Sequence, residues 1–228
     1  MALVTFVMRQ LKLETPMLEI RVFQYRAFTI PISLVILMFL IFIGTLTILP
    51  IYMQTMRGLT PLQSGLILLP GGLVMGLLSP VTGKLYDIIG GRILAVSGMT
   101  LIFIGTLLLS FLNAESSITY IILSFLVMML GNSGIMVPMT TEALNALPRE
   151  LIPHGTAMNN TLRQISAAIG TGLLVTLLSQ LAMGHGGSTV ASHIFGLQWT
   201  YKVVAVLSLI WAFIALRVSK KESSNSVS

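Results

Sequence analysis

The thirty residues from Ala27 to Met56 read AFTIPISLVILMFLIFIGTLTILPIYMQTM, without one Asp, Glu, Lys or Arg. Crossing about 30 Å of hydrocarbon takes roughly 20 helical residues, so this stretch is long enough to span a bilayer once. Further uncharged runs follow it: 26 residues from Gly58 to Gly83, 22 from Ile93 to Ala114, 26 from Ser116 to Thr141 and 38 from Gln164 to Tyr201. The last of these contains Gly184-His185-Gly186-Gly187-Ser188, which is too polar and flexible for lipid, so it reads as one helix and then a loop. Val203 to Leu216 is only 14 residues long. Its helix must begin earlier, near Leu197, with Lys202 snorkelling outward and Trp199 and Tyr201 in the interfacial belt. The expected fold is all-α, a polytopic membrane protein of six transmembrane helices over about 28–54, 60–83, 93–113, 116–141, 159–183 and 197–217.

Composition supports the same solvent. The chain of 228 residues is 55% hydrophobic and 9% charged, whereas a soluble domain is about 25% charged. Its net charge of +6 comes from basic residues scattered singly between apolar runs, which is not the stripe that nucleic acid requires. Those residues serve instead as topology determinants. With six spans, Arg9, Lys12, Arg21, Arg26, Lys84, Arg92, Arg149, Arg163, Arg217, Lys220 and Lys221 fall on one side, against Arg57 and Lys202 on the other. The positive-inside rule then places both termini in the cytoplasm, which makes the chain a multi-pass protein of the cell membrane. Residues 1–27 are expected to be a cytoplasmic interfacial linker preceded by the remnant of an earlier helix. Residues 218–228, Ser-rich and basic, are expected to form a disordered cytoplasmic tail. Cysteine is absent, so disulfides, thiolate metal sites and cysteine nucleophiles are excluded.

The most specific motif lies between the second and third spans, where Gly83-Lys84-Leu85-Tyr86-Asp87-Ile88-Ile89-Gly90-Gly91-Arg92 is expected to form a short cytoplasmic loop. Its glycines allow positive φ and close helix approach. Asp87 and Arg92 are suited to bond helix ends or charges on a neighbouring helix, and such pairs can latch one conformation.

This loop resembles the signature of the major facilitator superfamily, G-x-L-a-D-r-x-G-r-k, at Gly83, Leu85, Asp87, Gly90 and Arg92. It departs from the signature at Ile88 and Gly91, where basic residues are usual. Leu147-Pro148-Arg149-Glu150, the segment Gly155 to Gln164 and Gly170-Thr171-Gly172 resemble the entry to the penultimate helix of the fourteen-helix drug/proton antiporters of EmrB/QacA type. Pro16, Leu18, Arg21, Phe23 and Phe28 are similar to the linker before the seventh core helix there. The resemblance implies half of a major facilitator fold, equivalent to core helices seven to twelve. It further implies efflux of lipophilic or cationic small molecules, by alternating access and proton antiport, once the chain pairs with an N-terminal half or with itself. The family's protonatable carboxylates sit mainly in the first half, so this chain alone is not expected to couple efflux to protons.

Polar and small residues within the spans are the remaining candidates. Gly72 and Gly76, spaced as GxxxG, suit helix packing or a cavity wall, as do Asn132 and Ser133 in the fourth span. Asn160, Arg163 and Gln164 near the start of the fifth span either face a cavity or, for Arg163, snorkel to the headgroups. Glu142 is expected to cap the inner end of the fourth span in solvent. Gly131-Asn132-Ser133-Gly134 also resembles the GxSG of rhomboid intramembrane proteases, whose serine needs a histidine base on the sixth span. His154, His185 and His193 are all expected in loops, so the chain reads as no enzyme. No cofactor is called for, no phosphate-binding loop is present, and His185 and His193 lack a third metal ligand. A truncated, inactive fragment and a non-transporting scaffold remain as alternative functions.

Overall fold

The computed structural model describes residues 20–187 and 189–218. The expectations for residues 1–19 and for the tail beyond Val218 lie outside the described residues. Among those described, six helices are long and apolar enough to cross a membrane. They are α1 (Arg26–Ile51), α2 (Pro61–Ile89), α3 (Gly91–Leu109), α4 (Ile118–Asn145), α5 (Ile152–Gly184) and α6 (Val190–Ala215). The all-α, six-span fold expected from the sequence is therefore observed. A lipid core offers no water to bond backbone N–H and C=O groups, so each crossing segment must satisfy them internally as a helix.

Each helix includes at least one charged residue that ends an uncharged run. At 1.5 Å per residue, the 33 residues of α5 extend about 50 Å, well beyond the hydrocarbon thickness. Counting uncharged residues marks the part that can lie in lipid, whereas the hydrogen-bond ladder continues until a residue breaks it. This corrects three expectations. Residues 83–89 are the last turns of α2, and the loop to α3 reduces to Gly90, whose φ of +82° lies in the region that favours glycine. α5 begins at Ile152 and so includes His154, and α6 begins at Val190 and so includes His193. At the helix starts the local chemistry is explicit. Thr60 and Gln63 form a reciprocal capping box ahead of α2, with Pro61 at the first helical position, and the Ser117 and Thr189 hydroxyls accept the N–H groups of Tyr120 and Ser192.

α1 and α4 form the centre. α4 packs along α3, α2 and α1; α1 packs also along α5; α6 closes the other side against α3 and α5. Sequence neighbours α1 and α2, and α2 and α3, touch only slightly, which leaves α2 held mainly by α4 and the least buried of the six. Lipid tails are as apolar as Leu, so helix association rests on close packing between small residues. A Cβ on Gly131 would lie 2.5 Å from the Gly98 carbonyl oxygen, and one on Gly105 would lie 2.6 Å from the Met128 nitrogen, so α3 and α4 meet backbone to backbone. Gly170 likewise rests against the Leu40 backbone, joining α5 to α1, and Gly196 against the Leu178 carbonyl, joining α6 to α5. Below α1, Val22 of the short turn Ile20–Gln24 is buried with Phe28, Ile32, Ala143 and Leu147.

Replacing Gly105 by Leu forces the α3–α4 seam apart. We expect it to destabilise the bundle by about 1–3 kcal/mol, measured as a lower unfolding midpoint in detergent. Gly172→Leu, at a position where an added Cβ meets nothing within 4 Å, leaves that midpoint unchanged.

Candidate functional site

The interior polar residues separate into buried seams and an open wall. Asn132 and Ser133 lie on the α4 seam. Asn132 Nδ2 donates to the Met128 carbonyl at 2.8 Å, Ser133 Oγ donates to the Leu130 carbonyl at 2.8 Å, and both residues are buried. The Ser133 carbonyl in turn accepts the Thr82 hydroxyl at 2.9 Å, tying α2 to α4. Ser133 thus bonds back to its own helix, while His185 stacks on Phe195 at 3.9 Å. The arrangement has no serine–histidine pair.

Gly72 and Gly76 stand on the open wall. A Cβ at either position would meet nothing within 4 Å, so this GxxxG faces no helix of the described residues. Gly71, one residue away, is the glycine that packs, against Phe125 and Met129 of α4. The two open glycines border a cleft of about 370 Å³ between α1, α2 and α4, lined also by Phe42, Met75, Phe125, Met129 and Met136. Aromatic rings and flexible thioethers make this wall apolar and adaptable, as ligand clefts of 300–1,000 Å³ commonly are.

Phe42 carries the wall onward. Its ring stands edge-on to Phe39, with centroids 6.0 Å apart, and the Arg163 guanidinium carbon lies 4.2 Å from the Phe39 centroid. Arg163 follows Ile152 by eleven residues, about 17 Å along α5, and Phe39 is two residues from the middle of the 31-residue span Arg26–Met56. The expectation that Arg163 snorkels toward the helix start is corrected: it turns onto an aromatic ring deep in the bundle. Asn159, one turn earlier, is buried with its Oδ1 unbonded, whereas Asn160 and Gln164 point off the bundle.

At the end of α2, Gly83 is in ordinary contact with Val137, Leu85 and Arg92 are partly buried, and Asp87 is exposed. The hydrogen bond there belongs to residues the sequence did not single out as a pair: Tyr86 Oη donates to Glu142 Oε2 at 2.6 Å, joining α2 to α4. Glu142 is therefore not a solvated cap. Gly91 makes the pair possible, since a Cβ there would come within 2.7 Å of the same oxygen. Its departure from the signature's usual basic residue thus has a steric reason. At the opposite end, the segment joining α3 and α4 is held from two sides. Tyr52 Oη donates to the Asn113 carbonyl at 2.6 Å, Arg57 donates to the Ser116 carbonyl, and Gln198 Nε2 donates to the Leu112 carbonyl at 2.8 Å.

A six-helix half-bundle, an apolar cleft among its first, second and fourth helices, and a glycine signature between the second and third agree with what known proteins show. The profile of the Major Facilitator Superfamily matches residues 8–171. The chain belongs to the major facilitator superfamily. This facilitator chain is 44% identical over 223 residues to the uncharacterised MFS-type transporter YcnB of Bacillus subtilis, covering 97% of itself and 47% of that protein. It is 39% identical over 226 residues to the lincomycin resistance protein LmrB of Listeria monocytogenes, covering 96% of itself and 47% of that protein. It is 27% identical over 177 residues to the multidrug resistance protein Stp of Mycobacterium tuberculosis, covering 76% and 32%. The facilitator chain thus spans about half the length of the curated relatives it matches most extensively. Its described helices are long and apolar enough for a multi-pass membrane protein, and YcnB is named as a transporter.

Removing the Tyr86 hydroxyl costs about 1–2 kcal/mol of stability. A double-mutant cycle with Tyr86→Phe and Glu142→Ala, followed by thermal unfolding in detergent, should return a non-additive coupling of that order. Strict additivity would show that the two side chains do not bond.

Proposed function

We propose that this chain is the C-terminal half of a secondary transporter that exports lipophilic small molecules by alternating access, with its cleft as one wall of the substrate path. The observation that carries the reading is the open cleft at Gly72, Gly76, Phe42 and Met129. The wall has solvent-sized space, apolar lining and no covering helix among the described residues. α2 adds a stripe of exposed Leu62, Leu66, Leu69, Leu73 and Leu77, the first 74% and the last 72% exposed, as expected of a helix that meets lipid or a second bundle. The relatives named for lincomycin and multidrug resistance, and their double length, support the drug-efflux reading and the need for a partner half.

On this reading the chain corresponds to core helices seven to twelve of the fourteen-helix antiporter branch. It works in the cell membrane with both termini cytoplasmic, beside an N-terminal half or a second copy. Proton coupling belongs to the partner: the described carboxylates Asp87, Glu115, Glu142 and Glu150 all stand at helix ends or between helices, not at mid-span. The signature residues Gly83, Leu85, Asp87, Gly90 and Arg92 act at the gate on the cytoplasmic side.

Cells expressing the chain beside an N-terminal half from a matching relative should extrude a lipophilic dye several-fold faster than cells expressing either alone. Equal rates with and without the partner would reject the half-transporter reading in favour of a fragment or scaffold. Within the active pair, Asp87→Asn slows turnover while leaving insertion intact. Reporter fusions after Lys84 and after Arg149 should both report the cytoplasmic side.

A further inference from the structure

Arg163 is a charged side chain with unusual surroundings. It lies eleven residues inside α5, partly buried, with its guanidinium carbon 4.2 Å from the centre of the Phe39 ring. Among the described residues it makes no hydrogen bond and no ion pair. Charged groups at such depth are costly and persist where they face a cavity or a partner. A ring face attracts the cation but leaves the five N–H donors of the guanidinium fork without acceptors. The nearest turn of α5 repeats the theme, because Asn159 is buried, only 3% exposed, and its Oδ1 bonds nothing. Phe39 meets Phe42, and Phe42 lines the apolar cleft, so the guanidinium stands at the margin of the proposed substrate wall.

We propose that Arg163 and Phe39 form an oxyanion subsite. It takes lipophilic molecules bearing a carboxylate, sulfonate or phosphate and sets the charge preference of this half against lipophilic cations. The inference rests on the transporter reading and narrows its substrate class. A planar guanidinium placed over an aromatic ring offers paired donors of the kind that two oxygens of an oxyanion match. The described carboxylates stand near helix ends or between helices, so none lies at mid-span to receive a cation, and in a low-dielectric wall an unpaired positive charge repels one at long range. The apolar body of the ligand lies against Phe42, Met75 and Met136 while its charged end reaches Arg163.

The test uses the full chain in phosphatidylcholine nanodiscs and three probes of similar size: anionic 8-anilino-1-naphthalenesulfonate, neutral N-phenyl-1-naphthylamine and a trimethylammonium-substituted naphthylamine. Saturable binding above protein-free nanodiscs is expected to favour the anion over the cation by about tenfold or more. Arg163→Gln brings the anion down to the neutral probe's affinity and leaves the neutral probe unchanged. Arg163→Lys keeps part of the preference. Arg26→Gln, an equal charge change at the exposed start of α1, keeps all of it. A wild-type chain that binds the three probes alike overturns the proposal without any variant. So does an anion preference that survives Arg163→Gln. If the neutral probe also fails to bind saturably, the cleft itself is not a ligand site and the transporter reading falls with the proposal. Loss of the anion preference when phosphatidylglycerol replaces part of the phosphatidylcholine supports the oxyanion site and assigns its occupant to a lipid phosphate.

Discussion

A peptide group in hydrocarbon has no water to bond, and this constraint governs the molecule at every level. It requires each crossing segment to be helical, and it removes the hydrophobic drive that would press helices together in water. What remains to hold the bundle is contact distance. The chain meets that need at a few backbone-to-backbone crossings: Gly98, Gly105 and Gly131 between α3 and α4, Gly170 on Leu40, and Gly196 on Leu178. Each allows two helices to approach until main-chain atoms touch, where dispersion and weak Cα–H···O contacts are strongest. Helices without such crossings on one face, above all α2, are left with a face that the other described residues do not cover.

The same constraint explains what can be read from residues alone. The number of spans is legible because bilayer thickness sets a minimum length, and the runs beginning at Ala27, Gly58, Ile93, Ser116 and Gln164 each exceed it. The superfamily is legible in the spacing of Gly83, Leu85, Asp87, Gly90 and Arg92. Helix ends are less so, because a charge such as Lys84 or Arg163 ends an uncharged run without ending the helix. Glycine spacing identifies a small face but not its partner. Gly72 and Gly76 have the expected i, i+4 pattern and meet nothing, while Gly98 and Gly105, seven apart, make a backbone-to-backbone seam together with Gly131.

Side-chain pairs across the bundle are the least legible. Tyr86 and Glu142 are 56 residues apart, and nothing local in either segment announces their bond. The signal was present in Gly91, where the family's loop usually carries a basic residue and this chain has none. A missing side chain beside a conformationally special Gly90 points to something that occupies the space, here the Glu142 carboxylate. Arg163 is the converse case. A long cation one-third of the way along a membrane helix reads as a residue reaching for headgroups, and only the position of Phe39 on α1 shows that it turns to a ring.

The two ends of the bundle are fastened in different ways, and the difference bears on how a half-bundle of this kind can move. At the Arg57 end, Tyr52 and Arg57 just beyond α1 and Gln198 of α6 all donate to carbonyls of the α3–α4 segment, so two parts of the bundle are tied to the same short segment. These carbonyls stand beyond the last turn of α3 or before the first turn of α4, where no helical donor reaches them, and the bonds therefore meet an existing need. At the other end α2 is fastened to α4 by the Tyr86–Glu142 pair and by the Thr82 hydroxyl on the Ser133 carbonyl, with Gly90 as the joint to α3. One hydrogen bond is worth about 0.5–1.5 kcal/mol net, or up to about 3 when one partner is charged, which thermal motion or a ligand's differential affinity can outweigh. On the transporter reading proposed above, a rocking motion of two halves would work against few side-chain bonds at the end carrying Tyr86, where Gly90 joins α2 to α3, while α1, α3, α4 and α6 stay joined at the far end.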